Sequence, residues 1–388
     1  MLPLDDIKVL DFSFHLPGPL ATLILAEAGA SVVKVERPDT GDELRLFPPQ
    51  TNGESLGFTM LNRGKASVAL DLKSPDAHAR LTPLIREADV VVEQFRPGVM
   101  NRLGLGYDTL RALNPRLIYC SLTGYGQSGP LSQEAGHDIN YVSLSGALGA
   151  FGPANDVPNF PLNLLADFAG GSLFATIGIL SALYSRERVG EGQYIDAAMV
   201  DGCLSLMAMH FPDWGKPVLA SRGDGLVAGT APYYRCYACA DGKHISVGAL
   251  EPRFFQNLWT GLGFVDAPPQ HLDRSTWPAM TKLFEKTFLT HDRDEWVERF
   301  AGKDACLTPV LDPEEALAHP HNRMRHPDFG KEDAVKAPLM RANAGRSSGI
   351  DMTDRTEEVL REAGLDAEEI ASAKSSAMAI AGLAWPPL

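Results

Sequence analysis

The chain has 388 residues, which is more than one hydrophobic core usually spans, so two domains are expected. Hydrophobic residues make up 45% and charged residues 22%, as is typical of a globular protein. The formal net charge of −14 argues against a nucleic-acid partner, because no broad basic face is available to meet phosphates.

The first 130 residues alternate strand-like apolar runs with helical patterns, which indicates parallel βαβ units. The runs are almost continuously apolar, as in strands buried on both faces. We therefore predict a doubly wound α/β sheet, with ligands bound at the carboxyl ends of its strands. The predicted strands lie at 7–12, 31–37, 67–73, 89–95 and 116–122, and the clearest helices at 17–30 and 74–88.

A long apolar segment around residues 163–182 could be mistaken for a membrane span, since it carries a single charge, Asp167. Its paired glycines, its acid near the start and its continuation into the polar SRERVGEG favour a buried helix of a large core. We predict a buried helix and no membrane partner.

The pattern changes after this helix. A strand at 192–199 and a further helix lead into a stretch rich in Gly and Pro, and residues 233–250 have the pattern of two strands joined by an Asp-Gly turn, a strong hairpin signal. Helical segments follow to about residue 300. The predicted organisation is a large α/β domain at 1–210, a linker at 211–224, a small α+β domain at 225–320, and a return segment with the C-terminal tail at 321–388.

The five cysteines are odd in number and widely scattered, and the N-terminus has no signal-peptide pattern, which together predict a reduced, cytoplasmic protein. Cys236 and Cys239 form a C-x-x-C within the predicted hairpin. Without a second pair, packing is a better explanation than zinc or redox chemistry. The histidine-rich segment 319–326 has no acids or cysteines at ligand spacing, so no metal site is predicted.

The segment GYGQSG, residues 124–129, formally matches the dinucleotide-binding pattern G-x-G-x-x-G. A nicotinamide site would need a helix to open there, so that its amides could meet the pyrophosphate. Pro130 and a polar stretch follow instead, which favours a flexible glycine loop.

Two short segments carry groups that could exchange protons: GHDINY, with His137 and Asp138, and ADFAGGS, with Asp167. His137 is predicted near the start of a helix, and Asp167 precedes the long apolar helix, whose N-terminal dipole and free amides would favour an anion. One acid and one base on opposite faces of a carbon could move its proton, and the amides could hold an enolate oxygen. An ordinary helix cap at Asp167 and a loop role for His137 remain open as the alternative.

At these residues the chain resembles the family III CoA-transferases, the CaiB/BaiF-like proteins, and within them the α-methylacyl-CoA racemases. The likeness spans most of the chain, with little to match beyond about residue 345. It is carried by VERP (35–38), LNRGK (61–65), LDLKS (70–74), EQFRPGVMNRLGLG (93–106), TGYGQSGP (123–130), AGHDINY, LADFAGGS, GQYIDAAMVDG (192–202) and APYYRCYACADGKHISVGALEPRFF (231–255).

The resemblance implies a Rossmann-like large domain, a smaller domain, and a homodimer of two interlocked protomers. The active site would lie between the large domain of one protomer and the small domain of the other. Coenzyme A would enter as part of an acyl-CoA substrate, with no separate cofactor.

The resemblance also implies roles for individual residues. His137 and Asp167 would be the two acid/base groups, Asp138 a polar neighbour, and Glu251 of the partner subunit would orient His137. Basic side chains among the coenzyme A contacts suit phosphate groups. The implied contacts are His15, Leu16, Pro17, Arg37, Leu72, Lys73, Arg96, Arg102, Gly136 and Tyr141.

The activity implied is the interconversion of (2R)- and (2S)-2-methylacyl-CoA thioesters by 1,1-proton transfer through an enolate. The rival within the family is CoA transfer between carboxylates, with Asp167 as nucleophile. Family transferases usually lack a histidine at the position of His137 and need no second proton carrier, which favours the racemase. A non-catalytic CoA-binding protein is a third alternative, against which the intact His137, Asp167 and Glu251 argue. The sequence does not identify the acyl group.

Overall fold

The computed structural model describes residues 2–51, 53–75 and 77–326, together with 361, 366–368 and 370–371; of Glu54 it describes the backbone only. The chain forms two compact units. One contains residues 2–145 and 161–206 together with the described residues between 361 and 371, and the other contains residues 146–160 and 207–326. The first unit therefore has a 15-residue interruption, which the predicted domain boundaries at 210 and 225 do not include.

A six-stranded parallel sheet forms the centre of the first unit, in the order Ala66–Ala69 (β5), Ser31–Glu36 (β2), Lys8–Phe12 (β1), Val90–Glu93 (β6), Ile118–Thr123 (β7) and Tyr194–Ala198 (β8). The direction of strand addition reverses between β1 and β6, which is where doubly wound sheets open a ligand crevice. The predicted parallel α/β sheet is confirmed. The strands of this unit are β1 Lys8–Phe12, β2 Ser31–Glu36, β3 Gln50–Thr51, β4 Glu54–Ser55, β5 Ala66–Ala69, β6 Val90–Glu93, β7 Ile118–Thr123 and β8 Tyr194–Ala198, of which β3 and β4 pair as a separate ribbon.

Helices cover both faces of this sheet, and β6 and β7 are fully buried, as their continuous apolar runs predicted. The helices are α1 Pro17–Glu27, α2 Leu56–Asn62, α3 Ala77–Glu87, α4 Val99–Arg102, α5 Tyr107–Leu113, α6 Asp138–Leu144, α7 Ala147–Ala150 of the second unit, α8 Phe174–Val189 and α9 Met199–Leu206. A 3-10 turn spans Glu43–Leu46 and a π-helix spans Leu164–Leu173. Ile370, from the C-terminal region, packs in the core of this unit.

The second unit is built on an antiparallel sheet with an aromatic core. The predicted hairpin is present, and Gly242 in its turn has a φ of +78°. The predicted linker contains a short strand pair. The elements are β9 Leu219–Ser221, β10 Asp224–Gly225, β11 Tyr234–Ala238, β12 His244–Gly248, β13 Leu307–Val310, α10 Pro252–Gly261, α11 Trp277–Phe288, α12 Arg293–Phe300, α13 Pro313–Ala318 and α14 Pro320–Arg325. Most of the predicted return segment lies outside the described residues.

The π-helix and α8 together form one helix of 26 residues, Leu164–Val189, and it is the single helix among the described residues that is long and apolar enough to cross a membrane. The core helix of a globular protein passes the same test. Within this chain 39% of its most apolar window is buried, so the predicted buried helix is buried on one face only. Its other face presents large apolar side chains at the surface, namely Leu173, Phe174, Ile177, Leu180 and Tyr184.

Candidate active site

A cavity of about 1000 Å³ opens in the first unit at the point where the sheet reverses direction. Its walls are the segments that directly follow β1, β6 and β7, joined by α6 and the π-helix. Parallel strands bring their carboxyl ends to one edge of the sheet, so three segments distant in sequence meet there. His137 and Asp167 both line this cavity.

His137 is the residue that caps the N-terminus of α6, as the sequence predicted. Its backbone amide donates to the Asn140 side-chain oxygen at 3.0 Å, which fixes the start of the helix. The side chain of His137 is exposed to the cavity. A cap position holds the backbone of this residue while its imidazole remains accessible to a ligand.

Asp167 lies in the first turn of the π-helix and is not its cap, so the alternative interpretation as an ordinary capping residue is wrong. The Asp167 carboxylate accepts a hydrogen bond from the Asn163 side-chain amide at 3.2 Å. π-Helical turns are rare and are frequently found at functional sites. Asp167 is therefore a half-buried carboxylate in a cavity wall, with a neutral hydrogen-bond donor one turn away.

Asp138 is buried behind these two residues. One of its carboxylate oxygens accepts hydrogen bonds from the backbone amides of Ala166 at 2.7 Å and Asp167 at 2.8 Å. The expectation that these amides are free to hold an enolate oxygen is therefore wrong, because a helix start beneath a protein surface needs partners for its amides and Asp138 supplies them. Asp138 links α6 to the π-helix, and so links the segment of His137 to that of Asp167.

The environment of Asp167 raises its pKa from the ordinary 3.8 to about 6. Burial is the largest cause, since it disfavours the charged carboxylate, and the negative charge of Asp138 adds to it. The Asn163 hydrogen bond and the nearby His137 lower the pKa but do not cancel these effects. A carboxyl group with a pKa near 6 can both release and accept a proton at physiological pH.

The backbone around Asp167 is held by close packing. The Ser172 hydroxyl lies 2.9 Å from the Asp167 carbonyl oxygen and 2.6 Å from that of Pro17, and so joins two walls of the cavity. The π-helix also packs directly on α9. A Cβ added at Gly202 would come within 2.0 Å of the Gly170 carbonyl oxygen, so these backbones meet only because glycine occupies position 202.

Most residues implied as coenzyme A contacts line the same cavity. The glycine loop after β7 contributes at one end: a Cβ at Gly124 would overlap the Tyr141 ring at 2.2 Å, so glycine is needed there. No helix begins in the GYGQSG loop, which agrees with the glycine-loop interpretation. The implied contacts in the cavity wall are His15, Leu16, Pro17, Arg96, Gly136 and Tyr141.

A second cavity of about 180 Å³ adjoins the first, and Arg37 and Leu72 line it. Phe14 and Phe95 belong to both cavities, with ring centroids 5.7 Å apart. An elongated ligand could therefore extend past these two rings from one cavity into the other.

Three predicted residues lie elsewhere. Lys73 and Arg102 are exposed and are not among the residues that line these two cavities. Glu251 is exposed at the N-cap of α10, in the second unit. Its predicted role beside His137 of another protomer stays a prediction.

Sequence reasoning missed Asn163 and Ser172. The spacing of Asn163 and Asp167, four residues apart, places the two side chains on one helix face and could have suggested their contact. Nothing local marks Ser172, because its second partner, Pro17, is 155 residues away in the chain.

Comparison with known proteins gives a consistent result across the chain. Residues 4–347 match the family model of CoA-transferase family III. The chain is 41% identical to human alpha-methylacyl-CoA racemase over 382 residues, covering 95% of each protein. It is 32% identical to the acetyl-CoA:oxalate CoA-transferase of Acetobacter aceti, covering 84% of this chain and 85% of that one.

Among solved structures, a CAIB/BAIF family protein from Brucella suis superposes with a TM-score of 0.78 at 27% identity. The match covers 93% of this chain and 99% of that one. The fold described above is therefore shared over nearly the whole length of that protein.

Proposed function

The chain belongs to the CoA-transferase family III, and we propose that it interconverts the (2R) and (2S) forms of 2-methylacyl-CoA thioesters. The observation that carries the proposal is the pairing of His137 and Asp167 in one cavity, with the pKa of Asp167 raised to about 6. A carboxyl group and an imidazole, both of which commonly serve as general acids and bases, suit a reaction that removes a proton from one face of a carbon and returns it to the other.

The proposed reaction balances with these two groups alone. One group accepts the α-proton as the C–H bond breaks, and the electron pair moves onto the thioester oxygen to give an enolate. The other group then donates its own proton to the opposite face of the α-carbon. After one turnover the base is protonated and the acid is not, so each protonation state of the enzyme acts on one configuration of the substrate.

The thioester substrate is supported by the shape and charge of the cavities. Arg96 lines the larger cavity and Arg37 the smaller, and both guanidinium groups are exposed. Arginine suits phosphate groups, because its planar fork donates two parallel hydrogen bonds. We therefore propose that coenzyme A extends across both cavities and leaves its thioester beside His137 and Asp167.

CoA transfer between carboxylates is the second candidate. It is favoured by the half-buried Asp167, which could act as a nucleophile, and by relatives such as the acetyl-CoA:oxalate CoA-transferase. The raised pKa of Asp167 does not count against it, because a carboxyl group with a pKa of about 6 is mostly ionised at neutral pH. The exposed imidazole of His137 does count against it, because that chemistry gives the imidazole no role.

The test is to incubate the protein with each pure enantiomer of a 2-methylacyl-CoA and to follow configuration by chiral chromatography. A parallel reaction contains a free carboxylate, such as acetate or oxalate, and is analysed for a new CoA thioester. The proposal predicts racemisation in both directions and no transfer. Transfer without racemisation, lost on Asp167→Ala but retained on His137→Ala, would establish the second candidate instead.

We also propose that the protein is a homodimer in which the second copy covers the exposed apolar face of Leu164–Val189. Apolar patches of this kind mark interaction surfaces in proteins that remain in solution. The family resemblance adds that Glu251 of the partner subunit completes each site. The mass measured by light scattering should be twice that of the 41.9 kDa chain.

Co-expression with two different tags tests the shared site. A heterodimer of His137→Gln and Glu251→Gln chains, purified through both tags, would contain one site with both changes and one with neither. If the sites are shared, this heterodimer regains about half of the wild-type activity per dimer. If each chain completes its own site, every site carries one change and activity is not restored.

A further inference from the structure

The turn that joins β1 to α1, residues 13–16, forms with the first residue of α1 a wall common to both cavities. Ser13 and Phe14 line the smaller cavity, and Phe14, His15, Leu16 and Pro17 line the larger. His15 has a φ of +60°, a left-handed conformation that residues other than glycine seldom adopt. A strained residue of this kind persists where the surrounding structure holds it in place.

Two buried charged groups hold the turn on either side of Phe14. Lys34 Nζ donates to the Ser13 carbonyl oxygen at 2.6 Å and lies 3.0 Å from Asp42 Oδ2. Asp42 Oδ1 accepts the His15 backbone amide at 3.0 Å. The side chains of Lys34 and Asp42 are each 1% exposed, so this ion pair is inside the protein.

A second buried pair supports the first. Asp11 accepts the Ser13 amide at 2.9 Å, and its other carboxylate oxygen lies 3.2 Å from Lys65 Nζ. Lys65 in turn donates to the Pro19 carbonyl oxygen at 2.9 Å, at the start of α1. The two lysines and two aspartates balance in charge, and each contacts the backbone of the turn or of the helix that follows it.

The lysines do not line either cavity, so they are not placed to bind substrate phosphates. Their role in stability alone would be weak, because a buried ion pair is often no more stabilising than apolar side chains of the same volume. What the network does fix is one conformation of the turn, including the strained His15.

We propose that Asp42 is a positioning residue for acyl-CoA: through the His15 amide and Lys34 it holds the β1–α1 turn in the shape that both cavities require. The inference rests on the proposed function in so far as the ligand is a CoA thioester. It adds a residue that the sequence motifs did not single out. Asp42 is part of the wall of the smaller cavity, but its side chain is 1% exposed, so it acts through the turn and not by direct contact with the ligand.

The test uses Asp42→Ala and the milder Asp42→Asn in the full-length protein, with free coenzyme A titrated by calorimetry and racemisation of 2-methylacyl-CoA measured alongside. Asp42→Ala should raise the Kd for coenzyme A and the KM for the thioester at least tenfold, with kcat within about threefold of wild type. Asp42→Asn keeps an acceptor for the His15 amide, so its Kd and KM should lie between those of the wild type and those of Asp42→Ala. If Asp42→Ala does not fold, a rise in the Kd for coenzyme A with Asp42→Asn supports the inference and an unchanged Kd overturns it.

Asp89→Ala is the matched control. Asp89 also accepts a backbone amide, that of Lys8 at 2.8 Å, and pairs with the buried Arg186 at 2.8 Å, but it lines neither cavity. It should lower the Tm and leave the Kd unchanged. Equal Kd values for wild type and both Asp42 variants, or a rise in Kd with Asp89→Ala as large as with Asp42→Ala, would overturn the inference. A wild-type protein that binds no coenzyme A would overturn the proposed function as well, whereas binding without racemisation would overturn that function alone.

Discussion

Asp11 and Asp167 are two aspartates of the same unit, the first fully buried and the second half-buried, and their pKa values are shifted in opposite directions. Burial disfavours the charged form of each. At Asp11 burial is outweighed by the ammonium groups of Lys65 and Lys34 together with hydrogen bonds from the Ser13 and Thr22 hydroxyls, which hold the pKa at about 2. At Asp167 burial prevails, and the pKa rises to about 6.

The difference lies in the partners and not in the depth of burial. Asp11 contacts the Lys65 ammonium group and two hydroxyl groups and is also stabilised by the charge of Lys34, whereas Asp167 has one neutral amide and a second carboxylate, Asp138, as neighbours. A fully paired carboxylate keeps its charge and organises the backbone. An incompletely paired carboxyl group has a pKa closer to physiological pH, as an acid/base group requires.

Replacing each aspartate by asparagine should separate these two roles most clearly. Asp167→Asn removes a proton carrier, so racemisation should fall by about 10³-fold, within the range of general acid–base contributions. Its stability at neutral pH should be unchanged or higher, because the raised pKa means that ionised Asp167 opposes folding above pH 6. Asp11→Asn should instead lower stability. Chiral chromatography and urea denaturation of both variants measure this; a stability loss at Asp167 equal to that at Asp11 would remove the distinction.

Lys65→Met tests the fully paired aspartate, Asp11. It leaves Asp11 without its nearest cation in a buried position, and breaking one partner of a buried pair costs about 3–5 kcal/mol. The free energy of unfolding from urea titration should fall by that amount. The double variant Lys65→Met with Asp11→Leu should recover much of the loss, because no uncompensated charge is left. If Lys65→Met lowers the free energy of unfolding by less than about 1 kcal/mol, the charge of Asp11 does not depend on Lys65 for its stabilisation.

Asn163→Ala tests the incompletely paired aspartate, Asp167, and has the smallest expected effect. The Asn163 amide lowers the pKa of Asp167, so its removal should raise that pKa further. The rate in the direction where Asp167 is the base needs the ionised form and therefore falls as the pH drops through about 6. In Asn163→Ala this acid limb should move to higher pH by less than about 1 unit, since a hydrogen bond contributes about 0.5–1.5 kcal/mol and one unit is about 1.4 kcal/mol. A limb that moves to lower pH would contradict the assignment.

The sequence predicted the parallel sheet because its buried strands are locally recognisable as short, continuous apolar runs. It also predicted His137 and Asp167, since short segments around them carry the family resemblance. It did not predict the π-helix. The π-helix packs against α9, where Gly202 meets the Gly170 carbonyl oxygen, and nothing in the sequence marks this contact.

The charge network was not predicted for the same reason. Asp11 and Lys65 are 54 residues apart, and each is unremarkable in its own segment. The assignment of residues 146–160 to the second unit is likewise hidden, because it depends on contacts with residues from 207 onward. The charge network and the division into units both depend on contacts between segments that are distant in the chain. A contact of the same kind makes Asp138 the acceptor for two amides of the π-helix.

The central claim is that His137 and Asp167 act on opposite faces of one carbon, and proton exchange in deuterium oxide tests it most directly. Each enantiomer of 2-methylacyl-CoA is incubated with His137→Asn or Asp167→Asn, and deuterium at the α-carbon is followed by NMR. We predict that each variant loses racemisation yet still exchanges the α-proton of one enantiomer, and that the two variants act on opposite enantiomers. Exchange of both enantiomers by either variant, or of the same one by both, would contradict the two-sided mechanism.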